Sequence, residues 1–229
     1  MVAENYREVE ARVAAACKRS GRKREDVTLI AVSKTKPVEM IRELMAIGVK
    51  DFGENKPQEL KTKTEEITEP LRWHLIGNLQ TNKVKYVVGR ACLIHSVSSL
   101  HLAEALQKEA AKKDLVCRVL VEVNIAGEET KSGVSPEEAA GLARQIAALP
   151  NLEVCGLMAI APPVESPEEN RGYFRSMRLL KEKIASMGLD RVSMDELSMG
   201  MTGDFEVAIE EGATLVRVGT AIFGSRAAR

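Results

Sequence analysis

Val27-Thr-Leu-Ile-Ala-Val-Ser-Lys34 is a short apolar run that closes on a lysine and passes through Thr35-Lys36 to Pro37. A doubly wound nucleotide-binding sheet carries G-x-G-x-x-G after its first strand, and no such string follows this run. Runs of the same kind recur at residues 51–55, 72–77, 92–97, 118–125, 153–160, 196–201 and 214–220, which makes eight. Helical patterns lie between them. Strands rich in Val, Ile and Leu, each followed by a helix, call for a parallel sheet covered by helices. Eight such units predict an α/β fold, a closed (β/α)8 TIM barrel. Run 51–55 is the shortest, and without it the open Rossmann-like sheet returns as the alternative.

The intervening helices announce themselves by their ends. Residues 3–20 place Tyr6, Val9, Val13, Ala16 and Cys17 at helical spacing, with Gly21 at the cap position, so an extra helix opens the chain. Pro37 and Pro57 fit first-turn positions, and Ser135-Pro-Glu-Glu138 and Ser166-Pro-Glu-Glu169 have the form of capping boxes. Helix 135–149 aligns Leu142, Ile146 and Leu149, and helix 167–187 aligns Phe174, Met177, Leu180 and Ile184. Each has one face to bury.

The chain has 229 residues against roughly 150 for an average domain, and no linker rich in Pro, Gly or Ser divides it. One domain, 1–229, is expected. Hydrophobic residues make up 45% and charged residues 29%, enough for a sizeable core and far from a disordered composition. Lys plus Arg and Asp plus Glu number 33 each, so no overall field draws the chain to nucleic acid or an anionic membrane. Cys17, Cys92, Cys117 and Cys155 lack disulfide or metal-ligand spacing and read as small buried hydrophobes. No apolar leader opens the chain and no 18 consecutive apolar residues occur, so a cytoplasmic protein is expected.

Barrel active sites gather at the carboxyl ends of the strands. The residues closing the runs include Ser33-Lys34-Thr35-Lys36, Gly53-Glu54-Asn55, Trp73-His74, His95-Ser96, Asn124, Met158, Ser198-Met199-Gly200-Met201-Thr202-Gly203 and Arg217-Val-Gly219-Thr220. None has metal-ligand spacing. Alternation puts Lys34 on one face with Thr28, Ile30 and Val32. If that face is the barrel interior, its amine sits in a partly desolvated mouth, a setting that favours Schiff bases with carbonyls. A solvated strand-end lysine is the commoner reading of a lone lysine, and Lys36 suits it better. The glycine-rich turns after the last two strands offer backbone N–H groups and hydroxyls where barrels often bind phosphate. Tight turns alone would also explain those glycines. Arg217 shares a face with Leu215 and Gly219, or pairs with an acid such as Glu54 or Glu122. His74 has a core histidine as its plainer reading, and Asn55 a helix cap.

The strings Ala-Val-Ser-Lys34-Thr-Lys-Pro, Phe-Gly-Glu-Asn55, Trp-His74-Leu-Ile-Gly-Asn-Leu-Gln-Thr-Asn-Lys83, Lys131-Ser-Gly, Gly156-Leu-Met-Ala, Leu-Ser198-Met-Gly-Met and Val-Arg217-Val-Gly-Thr-Ala-Ile-Phe-Gly224 carry a resemblance. In order, from Val27 to Arg226, the chain closely resembles the pyridoxal phosphate homeostasis protein family, a stand-alone counterpart of the alanine racemase N-terminal barrel. The resemblance implies a pyridoxal 5'-phosphate (PLP) cofactor. It implies that Lys34 forms the internal aldimine, that Arg217 faces the pyridine nitrogen, and that Ser198, Gly219 and Thr220 hold the phosphate. Asn55, His74 and Met199 would line the ring pocket. Thr202 stands where the family usually has serine and keeps the hydroxyl.

Such a protein is expected to act as a carrier rather than an enzyme. It would hold PLP reversibly, pass it to apoenzymes, and balance vitamin B6 and amino-acid pools. An arginine donates to the ring nitrogen without protonating it, which makes the ring a poorer electron sink. Alanine racemases take a tyrosine base from a second domain; this chain ends nine residues after Thr220, and Tyr6, Tyr86 and Tyr173 fall at no predicted strand end. The alternative is a weak PLP-dependent amino-acid racemase using water or His74 as base, and a cofactor-free Schiff-base aldolase is a third reading. PLP-dependent apoenzymes are the expected partners, and a monomer the expected state.

Overall fold

Alternate residues of the first strand, β1 (Thr28–Val32), divide between two interiors. Leu29 and Ala31 pack in a large apolar layer with residues of the helices, whereas Ile30 joins a smaller cluster with Leu93, Leu120, Cys155, Met158 and Leu215. The second set comes from four other strands, a gathering that requires the sheet to close on itself. The computed structural model describes residues 1–224, and among them it does close. β2 (Asp51–Glu54), β3 (Arg72–Leu75), β4 (Leu93–Val97), β5 (Cys117–Glu122), β6 (Leu152–Met158), β7 (Val192–Ser198) and β8 (Leu215–Val218) follow in chain order. Each strand is parallel to its neighbours, and β8 returns to β1 with Ile30 opposite Arg217. The predicted (β/α)8 barrel is the observed fold. The short second run is a true strand, Asp51 to Glu54 pairing with β3 along its whole length. The last residues of the resembling stretch, through Arg226, lie outside the described part.

The helices are α1 (Val2–Arg19), α2 (Val38–Met45), α3 (Pro57–Glu66), α4 (Leu100–Lys112), α5 (Pro136–Ala147), α6 (Arg171–Ala185), α7 (Phe205–Glu210) and α8 (Thr220–Phe223). The extra helix α1 buries Val9, Val13, Ala16 and Cys17 and packs on α2, α7 and α8. Ser135 and Glu138 form the predicted capping box at α5.

Alternation of full helices and strands is less strict than the sequence predicts. The β3–β4 crossover holds a 3-10 helix, Thr81–Tyr86, and a second 3-10 turn, Pro167–Asn170, precedes α6. Val84 and Val87 are both buried and three residues apart, the spacing of a 3-10 turn. Pro37 caps α2 from outside, whereas Pro57 occupies the first turn of α3. β7 begins four residues before its apolar run, because exposed Ser193 and Asp195 break the pattern. In β6 the register shifts near Gly156, where a Cβ would stand 1.8 Å from the Glu196 carbonyl oxygen. The shift turns both Cys155 and Met158 inward, although they differ in parity.

Candidate functional site

Lys34 leaves β1 at its carboxyl end, and the residues on both sides of it are tied down. Ser33 is buried and its hydroxyl donates to Glu54 Oε1 at 2.6 Å. Buried Lys63 of α3 donates to the Ser33 carbonyl at 2.7 Å, to Glu54 Oε1 at 2.7 Å and to Glu59 at 2.8 Å. Thr35 has φ of +62°, strained for a β-branched residue, and its N–H donates to Glu59 at 2.6 Å. The two carboxylates and Lys63 therefore over-determine the turn from which Lys34 projects. Burial raises the Glu54 pKa against the pull of Lys63. Lys36 is bound differently, donating to the Phe223 and Gly224 carbonyls at the end of α8 at 3.0 and 3.1 Å.

Arg217 comes from β8 and is 3% exposed. Its Nη1–H donates to Ser198 Oγ at 2.6 Å and its Nη2–H to the Ala159 carbonyl at 2.9 Å, which fixes the guanidinium plane. Burial lowers its pKa to about 10, with Asp204 and Glu122 opposing, so it remains a cation at neutral pH.

Lys34 and Arg217 line one cavity of about 360 Å3. Asn55, Gly219 and Thr220 share it, with Thr202 and Gly203 from the loop after β7. A Cβ on Gly219 would stand 3.3 Å from Val32, so the β8 turn approaches β1 closely only because that side chain is absent. Thr220 opens α8, where the Gly219 carbonyl already accepts from the Ile222 and Phe223 N–H groups at 3.0 and 2.8 Å. A wider depression of about 550 Å3 lies beside Pro70, Trp73 and Leu115, around the starts of strands rather than their carboxyl ends. Barrel chemistry belongs at the carboxyl ends, where the smaller cavity is.

Of the eight residues singled out in the sequence, Lys34, Asn55, Arg217, Gly219 and Thr220 meet at this cavity. Ser198, His74 and Met199 do not line it. Ser198 is fully buried beneath Arg217, and Met199, of opposite parity, packs in the outer apolar layer. His74 lies deeper in the barrel. Its Nδ1 is 3.0 Å from His95 Nε2, and its Nε2 is 3.2 Å from Asp51 Oδ1 and 3.7 Å from Cys92 Sγ. His95 Nδ1 is in turn 2.8 Å from Ser198 Oγ. Glu59 and Lys63 escape a reading of strand ends because they lie on α3, though their i,i+4 spacing on a helix was a usable signal.

A (β/α)8 barrel whose strand-end cavity joins a lysine from β1 to an arginine from β8 is the class defined by the alanine racemase N-terminal barrel. The family model described as alanine racemase, N-terminal domain, matches residues 5–227. The chain is similar to a pyridoxal phosphate homeostasis protein of Aquifex aeolicus, 48% identical over 224 residues and covering 97% of both chains. The Escherichia coli K12 protein of that name is 38% identical, with 98% of this chain and 97% of that one covered. Among solved structures, PipY of Synechococcus elongatus with PLP bound matches with a TM-score of 0.82 and 34% identity, covering 98% of this chain and all of that one. An alanine racemase of Clostridium difficile 630 shares the fold at TM-score 0.76 and 14% identity, with 58% of its length covered. This chain belongs to the pyridoxal phosphate homeostasis protein family. No described helix is long and apolar enough to cross a membrane.

Proposed function

We propose that this chain binds PLP at the strand-end cavity and carries it in intracellular vitamin B6 and amino-acid homeostasis, acting as one monomeric barrel in the cytoplasm. The convergence of Lys34, Arg217, Gly219 and Thr220 on one cavity carries the reading. The residues suit the group: an amine for its aldehyde, a cationic donor for its pyridine nitrogen, and a side-chain-free turn at Gly219 with the Thr220 hydroxyl for its phosphate. When bound, PLP supplies an electrophilic aldehyde and an electron-withdrawing ring.

The chain's own residues decide how far that chemistry goes. Lys34 presents its amine from a turn held by Glu54, Glu59 and Lys63. Arg217 donates and keeps its proton, so it would hold a pyridine nitrogen by a hydrogen bond without protonating it and would support carbanion chemistry only weakly. Gly219, Thr220 and Thr202 would hold the phosphate, and Asn55 would border the ring. Among the described residues lining the cavity there is no tyrosine, histidine or carboxylate to act as a base opposite Lys34. His74 is engaged with Asp51 and His95 in the barrel interior. Carriage, with release to PLP-dependent apoenzymes, therefore fits better than turnover.

The test is a visible titration of the purified protein with PLP, followed by L-amino acids in deuterated solvent. A saturable absorption change, lost in Lys34→Ala, and negligible α-hydrogen exchange are expected. No absorption change would refute PLP binding, and rapid α-hydrogen exchange would replace carriage by catalysis.

A further inference from the structure

A single file of polar side chains crosses the inside of the barrel. It runs Arg217, Ser198, His95, His74, Asp51, with links of 2.6, 2.8, 3.0 and 3.2 Å, and Arg72 closes it with a bidentate pair to Asp51. Arg217 reaches the cavity at the carboxyl ends of the strands, whereas Asp51 and Arg72 begin β2 and β3 at the other end. Ser198, His95 and His74 are at most 4% exposed, in a barrel otherwise filled by Ile30, Leu93, Leu120 and Leu215. Buried polar groups of this kind persist only when their hydrogen bonds are satisfied.

Counting hydrogens fixes the sense of the file. Arg217 can only donate and the Asp51 carboxylate can only accept. Between them are four links, and each link takes one hydrogen. With both imidazoles neutral, Arg217, Ser198, His95 and His74 each supply one, all pointing toward Asp51. His95 then carries its hydrogen on Nε2 and accepts from Ser198 at Nδ1. Adding one proton to His74 puts a hydrogen on both of its nitrogens. Its Nδ1–H must then donate to His95 Nε2, and neutral His95 must carry its hydrogen on Nδ1 and donate to Ser198. Ser198 Oγ now accepts from Arg217 and His95 together, and its own hydrogen leaves the file.

We propose that Ser198, His95 and His74 are positioning residues that hold Arg217 in one orientation toward the cavity, and that a proton gained or lost at the His74–Asp51 end reverses the donor direction at His95. The groups facing the pair favour this order of events. His74 meets Asp51 from β2, Cys92 from the segment before β4, and His95; Arg72 and Tyr6 act on the same carboxylate. Burial pushes the His74 pKa down, but Asp51 and Cys92 outweigh it and raise the value to about 9. Among the described residues, His95 is bonded to Ser198 and His74 and feels the charge of Arg217, and burial followed by the charges of His74 and Arg217 holds it well below the usual range. The charges of Asp204 and Glu122 also act on Arg217. His74 therefore takes the proton, and His95 stays neutral while changing which nitrogen bears its hydrogen.

The effect on a bound cofactor rests on the functional reading above; the file itself does not. The full chain contains three histidines, which permits a direct test by 15N NMR of histidine-labelled protein without added ligand, assigned with His95→Gln and His101→Gln. The expected result is a His95 hydrogen on Nδ1 at neutral pH that moves to Nε2 as His74 titrates, near pH 9. Ser198→Ala should leave the direct His74–His95 link in place but disconnect it from Arg217, weakening PLP binding about tenfold, the size of one lost charge-assisted hydrogen bond, whereas Ser198→Thr keeps wild-type affinity. A His95 tautomer that stays unchanged while His74 titrates would overturn the proposal, as would wild-type PLP affinity in folded Ser198→Ala. If Ser198→Ala fails to fold, the wild-type titration alone decides. If the wild type does not bind PLP, the functional reading falls and the tautomer measurement still stands.

Discussion

Gly219 follows β8 beside the end of β1, with the Val32 side chain and carbonyl both 3.3 Å from where a Cβ would be. Replacing it with valine should push the turn into the cavity and lower PLP affinity at least about tenfold, because backbone approach to a phosphate leaves no space for a branched side chain. Cys155→Ala is the comparison: Cys155 is fully buried in the inner cluster and lines no part of the cavity. Removing its sulfur should lower thermal stability by about 1 kcal/mol and leave the affinity alone. Equilibrium dialysis of the two variants decides it, and equal affinities would reduce the β8 loop to a turn. At this scale the sequence makes the face of a residue legible but not its height along the barrel axis. Ser198 and Arg217 share the inward face, as their strand-end strings suggest, yet only Arg217 reaches the cavity. His74 faces inward too, and sits a layer deeper. Met199 faces outward by simple alternation from Ser198, a signal present in the sequence.

The turn that carries Lys34 is held by α3, so its integrity depends on an element with little apolar patterning of its own. Lys63 is 5% exposed and pairs with fully buried Glu54. Lys63→Met would leave Glu54 without its cation, and breaking a buried pair in this way should cost about 3–5 kcal/mol. The double variant Glu54→Gln with Lys63→Met should recover most of that loss, since it removes the unpaired charge as well. Denaturant unfolding of the three proteins at neutral pH provides the comparison; a single variant as stable as wild type would show that the pair does not brace the turn. Elements bounded by end signals, such as α5 with its Ser135 box, were legible because capping chemistry is local. The true start of β7, the 3-10 crossover after β3 and the shift at Gly156 were not. Exposed residues mask the start of β7, the 3-10 crossover packs on α3 and α4, and the shift at Gly156 is set by the pairing of β6 with β7.

At the scale of the whole molecule, eight alternating apolar runs were enough to place the sheet, its closure and the end at which chemistry gathers. The polar file through the centre was not legible, because it joins residues of five strands whose mutual register only the closed barrel defines. A cavity on one end, a braced turn beneath its lysine and a fixed arginine opposite together describe a holder for a small phosphorylated aldehyde. Lys36 lines the same cavity as Lys34, so the amine that captures the aldehyde must be identified chemically. The full-length protein is mixed with PLP, reduced with borohydride, digested and mapped by mass spectrometry. The account predicts the pyridoxyl group on Lys34; finding it on Lys36, on Lys83 or spread over surface lysines would contradict it.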